Sequence, residues 1–100
     1  MSTNLLEKDF RSSVLSELRK RFPGCYLLLC DPSHFQGLPD LLILHGNRWA
    51  MLEFKRSETS PHRPNQDWYI TEFGKMSFAS FIYPENREEV LNALAAALNN

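Results

Sequence analysis

Apolar residues recur at threes and fours between Leu5 and Phe22, at Leu6, Phe10, Val14, Leu15, Leu18 and Phe22, and this spacing predicts an amphipathic helix. Asn4, with Glu7 three residues on, reads as a capping pattern at its start, and Pro23-Gly24 stops it. The pattern then shifts to short apolar runs. "CYLLLC", Cys25 to Cys30, has strand length and almost no polar positions, so it predicts a first strand covered on both faces. "DPSHFQGLP" is a loop rich in turn residues, and "DLLILH" and "RWAMLEFK" flank Gly46-Asn47. A Gly-Asn pair suits a type II′ turn, since glycine takes the positive φ needed at its first central position, so these runs predict an antiparallel hairpin. After the polar "RSETSPHRPNQ", Gln66 to Phe73 predicts a short helix that ends at Gly74. "MSFASFIYP" predicts a fourth strand, and Glu85 to Leu98, with Val90, Leu91, Leu94 and Leu98 on one stripe, a last helix.

The order is α-β-β-β-α-β-α. A strand, helix and strand in succession usually form a parallel pair with a right-handed crossover, so the third and fourth strands are expected to be parallel. The fold class is α/β, a four-stranded mixed sheet with helices covering its faces. With 100 residues, 43% of them hydrophobic, the chain is expected to form one domain over 1–100.

Charge enters this pattern at an unusual place. With the turn at Gly46-Asn47, His45 pairs with Arg48, Leu44 with Trp49, and the count down the ladder sets Asp40 opposite Glu53. Opposed residues share a face, with Cβ atoms about 4.5–5.5 Å apart, and Lys55 points to the same side. Two carboxylates and an ammonium therefore converge at the open end of an otherwise apolar hairpin. Opposed like charges destabilise a sheet unless compensated. A divalent cation such as Mg²⁺ or Mn²⁺ is one compensation, and Lys55 alone is the other; spacing does not choose between them. Gly37 and Pro39 are expected to stiffen the approach and to leave room beside Asp40 for a bulky ligand.

The remaining composition narrows the field. A net charge of -1 gives no overall electrostatic footprint of a nucleic-acid binder, so any basic surface is local. Lys8, Arg11, Arg19, Lys20 and Arg21 cluster on the first helix, and Arg56, His62 and Arg63 join Lys55 around the loop that follows it. These could track a DNA backbone, although exposed helices are often basic for solubility alone. His34, His45 and His62 lack zinc-ligand spacing, and Cys25 and Cys30, on opposite faces of one strand, are expected neither to pair nor to bind zinc. Trp49, Trp68 and Tyr69 are read as core residues before base-stacking ones. No targeting or membrane-spanning segment is seen, and a cytoplasmic location is expected.

Pro39-Asp40, then twelve residues, then Glu53-Phe54-Lys55, resembles the PD-(D/E)XK motif of restriction-endonuclease-like nucleases. The wider string "GLPDLLILHGNRWAMLEFK", with Glu7 before it and Gln66 after, is similar to the virus-type replication-repair nuclease family, VRR-NUC. The resemblance implies that Asp40, Glu53 and the backbone carbonyl of Phe54 ligate Mg²⁺ or Mn²⁺, and that Lys55 orients or helps activate the attacking water. It implies that Glu7 is the helix-one acid, acting through water or on a second ion, against a plain capping role. Gln66 would face the active site and contact phosphate or water, against a plain place at the start of a helix.

The activity so implied is a metal-dependent endodeoxyribonuclease acting on branched DNA, four-way (Holliday) junctions above all, in recombination, repair or replication. A homodimer is expected by the same analogy, as is a phage or prophage source. "LNALAAAL" offers a narrow stripe for helix–helix contact, or simply covers the sheet. Two other readings stand beside this one: a nuclease on flaps, nicks or single strands, and a DNA- or partner-binding module that does not cut.

Overall fold

The computed structural model describes residues 3–31 and 33–99, with side chains of the first helix from Glu7 onward. The elements are α1 (Thr3–Arg21), β1 (Tyr26–Leu29), β2 (Leu41–His45), β3 (Arg48–Phe54), α2 (Gln66–Met76), β4 (Phe78–Ile82), a single 3₁₀ turn at Pro84–Asn86, and α3 (Arg87–Leu98). The strands lie in sequence order in one sheet, β1 and β3 antiparallel to β2, and β4 parallel to β3. The fold is therefore α/β with a mixed four-stranded sheet, as the pattern predicts. Among the described residues no helix is long and apolar enough to cross a membrane.

Alternation along the strands splits the sheet into two unlike faces. On the first, Leu41, Ile43, Ala50, Leu52, Phe54 and Ile82 join Val14, Leu18 and Phe22 of α1 and Val90, Leu91, Leu94 and Leu98 of α3 in one buried cluster. Each large aliphatic side chain buried there contributes about 1.5–3 kcal/mol, so this face supplies most of the hydrophobic stabilisation. The leucine stripe of α3 is spent on it, which answers the question of what that stripe covers. Arg21 ties the two helices together by donating to Glu17 at 2.8 Å, Glu88 at 3.3 Å and Asn92 at 3.4 Å.

The second face carries Trp49, Met51 and Glu53 and is covered by α2, whose Phe73 meets Trp49 edge-on at 6.2 Å between ring centroids. That cover is partial. β1 was expected to be buried on both faces, yet it is an edge strand bonded to β2 alone, with Tyr26, Leu28 and Leu29 exposed at 68, 47 and 60%. Only Leu27 packs against the core. An apolar run reports hydrophobicity and not neighbours, and here the chain leaves the outer edge of β1 unpaired. Trp68, expected in the core, is also exposed, its edge against Tyr69.

Local boundaries differ in two further places. α2 runs through Gly74 to Met76, because an exposed glycine inside a helix costs only about 1 kcal/mol and β4 begins just two residues later. The helix α1 begins at Thr3, ahead of the expected cap; the capping of Asn4 and the place of Leu6 on the stripe concern side chains outside the described residues. The hairpin forms as expected, with φ of +64° at Gly46 and a negative φ at Asn47, the pattern of a II′ turn. Cys25 and Cys30 are both free thiols.

Candidate active site

The register runs from His45 opposite Arg48 to Leu41 opposite Leu52, so the next pair is Asp40 and Glu53. Asp40 stands just beyond the last paired residue of β2, held on both sides: its carbonyl accepts from the Cys30 N–H at 2.8 Å, and its Oδ2 accepts from the Phe54 N–H at 3.0 Å. The carboxylate thus takes the N–H that β3 presents where its ladder with β2 ends, an N–H that would otherwise lack a partner. This single bond pins the acid to the strand carrying its counterpart.

Among the described residues Glu53, Lys55 and Gln66 are the buried polar ones, 5, 8 and 6% exposed. They form one chain of hydrogen bonds. Lys55 Nζ donates to Gln66 Oε1 at 2.7 Å and to the Pro61 carbonyl at 3.1 Å; Gln66 Nε2 donates to Glu53 Oε2 at 2.9 Å. The Arg63 N–H also donates to Gln66 Oε1, at 2.8 Å, which docks the loop after β3 onto the same amide. Among the described residues Lys55 makes no direct ion pair; its link to the acid passes through the amide. Gln66 is therefore no idle first residue of a helix.

Burial, reinforced by the negative charge of Asp40 and only partly offset by Lys55, pushes the Glu53 carboxyl up to about 8. Two atoms remain unsatisfied. Glu53 Oε1 and Arg11 Nε are the buried side-chain polar atoms without a hydrogen-bond partner among the described residues. Both residues line one cleft of about 570 Å³, which also takes in Glu7, Asp40, Lys55, Arg56, Arg63 and Gln66. Arg11 sits one turn after Glu7 on α1, its guanidinium 5.3 Å from the centre of the Phe54 ring.

No protein-family model, no curated protein and no solved structure matches the chain. What the site can do rests on its own geometry. Hard carboxylate oxygens are the donors that Mg²⁺ or Mn²⁺ prefers, and an orphaned buried acceptor is a place where a cation repays its own desolvation. Among the described residues no three His, Cys, Asp or Glu side chains gather tightly enough to hold an ion unaided, so Glu7 does not close a ligand set with Asp40 and Glu53. Two carboxylates with waters completing the shell suit magnesium, which keeps several of its waters.

The sequence-derived basic residues divide. Arg11, Arg56 and Arg63 line the cleft, while Lys8 and His62 do not. His62 is stacked on Phe81 at 4.0 Å and its Nδ1 meets Asp67 Oδ1 at 2.7 Å. Arg19, Lys20 and Arg21 lie in the last turn of α1, roughly 18–21 Å along the axis from Glu7 at 1.5 Å per residue. The cleft opens beside Asp40 and Gly37, but Gly37 itself has no space for a side chain. At a φ of +91° a Cβ there would stand 2.6 Å from the Pro64 carbonyl oxygen, so the glycine lets the loop before β2 lie directly on the backbone at Pro64 and Asn65. The Asn65 side chain clasps the two loops by donating to the Gln36 carbonyl at 3.3 Å. Two contacts had no signal in the sequence: the stacking of Arg11 on Phe54, and the Pro61 carbonyl that receives Lys55.

Proposed function

We propose that the chain is a divalent-metal-dependent endodeoxyribonuclease with a PD-(D/E)XK core, hydrolysing phosphodiester bonds in branched DNA, four-way junctions included. The observation that carries this reading is a pair of unsatisfied buried atoms on two residues that line one cleft. Glu53 Oε1 is an acceptor that a cation would satisfy, and Arg11 Nε a donor that a phosphate would satisfy; a cation–phosphate pair supplies both at once. A carboxylate pair merely offset by a lysine gives Arg11 Nε no partner, and a DNA-binding module that does not cut gives Glu53 Oε1 no cation.

In this reading Asp40, Glu53 and the Phe54 carbonyl hold Mg²⁺ or Mn²⁺, with Glu7 acting through water from the cleft wall. When bound, the cation would supply a nucleophilic water at neutral pH and neutralise charge developing on the phosphate. Lys55, with two of its three protons committed to Gln66 and Pro61, keeps one donor for the attacking water or a phosphate oxygen. Arg11, Arg56 and Arg63 meet the DNA backbone, with Lys8 and His62 further out. A homodimer and a phage or prophage source follow from the resemblance to VRR-NUC proteins, and a cytoplasmic place of action from the sequence pattern.

Incubation with a labelled four-way junction, a flap, a plain duplex and a single strand, each with Mg²⁺, Mn²⁺ or EDTA, tests the reading. Cleavage that needs the metal and fails in EDTA is the expected result. Cleavage that persists in EDTA, or none on any DNA, removes it.

A further inference from the structure

Beside the cleft lies a second pocket of about 590 Å³, between the start of α1, the loop after β3 and Pro84. The two share Glu7, Arg56, Ser60 and Pro61, so the pocket opens off the wall of the candidate active site. Its chemistry is different. Phe10, Pro61 and Pro84 give it apolar walls, and Ser57, Thr59 and Ser60 give it a rim of hydroxyls. The rim is already ordered: the Ser57 N–H donates to Ser60 Oγ at 3.1 Å, the Ser60 N–H donates to the Ser57 carbonyl at 3.1 Å, and the Ser57 and Thr59 hydroxyls stand 3.1 Å apart.

A metal ion would find one carboxylate here, and the hydroxyl rim offers an alkyl chain no favourable contact. A nucleobase and its sugar fit on both counts, because the base has apolar faces for Phe10 and the prolines and polar edges for the hydroxyls. Arg56, in the shared wall, stands where the phosphate of such a nucleotide would pass into the cleft. We infer that this pocket takes one unstacked nucleotide adjacent to the phosphate being cut, so that the substrate is DNA with an unpaired nucleotide at that position: a flap, a frayed junction or a single strand. Continuous duplex is disfavoured, since its base must first leave the stack. The words "being cut" rest on the nuclease reading; the affinity for a nucleotide does not.

The full-length protein tests both parts separately. Trithymidylate is titrated in EDTA while the Phe10 ring resonances are followed by NMR. In Mg²⁺, a flap and a matched duplex are cut, with an abasic residue scanned through the nucleotides flanking the cut. Thr59 is exposed, so Thr59→Trp fills the pocket from the solvent side, and Thr59→Ser is the conservative control. The expected results are a flap cut about tenfold faster than duplex, and a loss of about tenfold when the base is removed at one flanking position. Thr59→Trp should lose both differences and the Phe10 shifts, and Thr59→Ser should keep them. Metal-dependent cutting with equal rates on flap and duplex and a flat abasic scan would overturn the pocket and spare the nuclease. Phe10 shifts with trithymidylate but no cutting of any DNA would do the reverse. Trithymidylate that leaves Phe10 unmoved overturns the pocket whatever is cut.

Discussion

The two faces of the sheet are made from alternate residues of the same strands, yet one is sealed and the other holds a charge cluster. Leu52 and Phe54 are buried in the core between α1 and α3, while Glu53, between them in sequence, turns to the opposite side and meets Asp40, Gln66 and a cleft. The difference is one of phase. A strand has period two, so the register that seats the leucine also aims the glutamate, and a slip of one residue would exchange them. Stability and chemistry are therefore set by one pairing.

Changes on the site face should leave folding intact and remove activity. Asp40→Asn and Lys55→Ala are expected to lower cleavage by about 10²–10³-fold or more, measured by single-turnover rates on a labelled junction. If both variants cut normally, the site is elsewhere. The sealed face should behave in the opposite way: Leu52→Ala is expected to cost about 2–5 kcal/mol in denaturant unfolding, since Leu52 has no exposed surface and its loss leaves a cavity.

Gly37→Ala joins the two regimes. Its positive φ and the Pro64 oxygen in its way predict a loss of roughly 1–3 kcal/mol, with a cleavage defect from displaced loops that would not follow from destabilisation alone.

The metal-free protein should also respond to pH through Glu53. Because its carboxyl is raised from near 4.5 to about 8, the native state binds the proton more tightly than the unfolded chain. The associated stabilisation is complete below about pH 4.5 and is lost as pH rises through about 8, so the melting temperature in EDTA should fall across that window. Glu53→Gln should flatten this component, and Mg²⁺ should offset it by favouring the ionised form. A melting temperature that climbs steadily from pH 5 to 8 in EDTA would contradict the burial of that acid. The smallest effect belongs to the open strand: Leu28→Ser on β1 should change stability by no more than about 0.5 kcal/mol, because Leu28 is already half in water.

The sequence spoke clearly wherever local rules fix the outcome. The turn at Gly46-Asn47 set the hairpin register, and from it the opposition of Asp40 and Glu53 could be counted. The α3 stripe could likewise be read from its period. Contacts between distant segments were hidden. The cover expected for β1 failed because an apolar run carries no record of its neighbours. The contact of Gly37 with Pro64 and Asn65, 27 and 28 positions away, had no local signal, and the link from Lys55 to Glu53 depends on how a later helix docks.

That link has a property of its own. A primary amide offers an accepting end and a donating end that cannot trade places without breaking both bonds, so Gln66 reads as a polarised spacer. It holds ammonium and carboxylate one amide apart, so neither is neutralised by direct contact with the other.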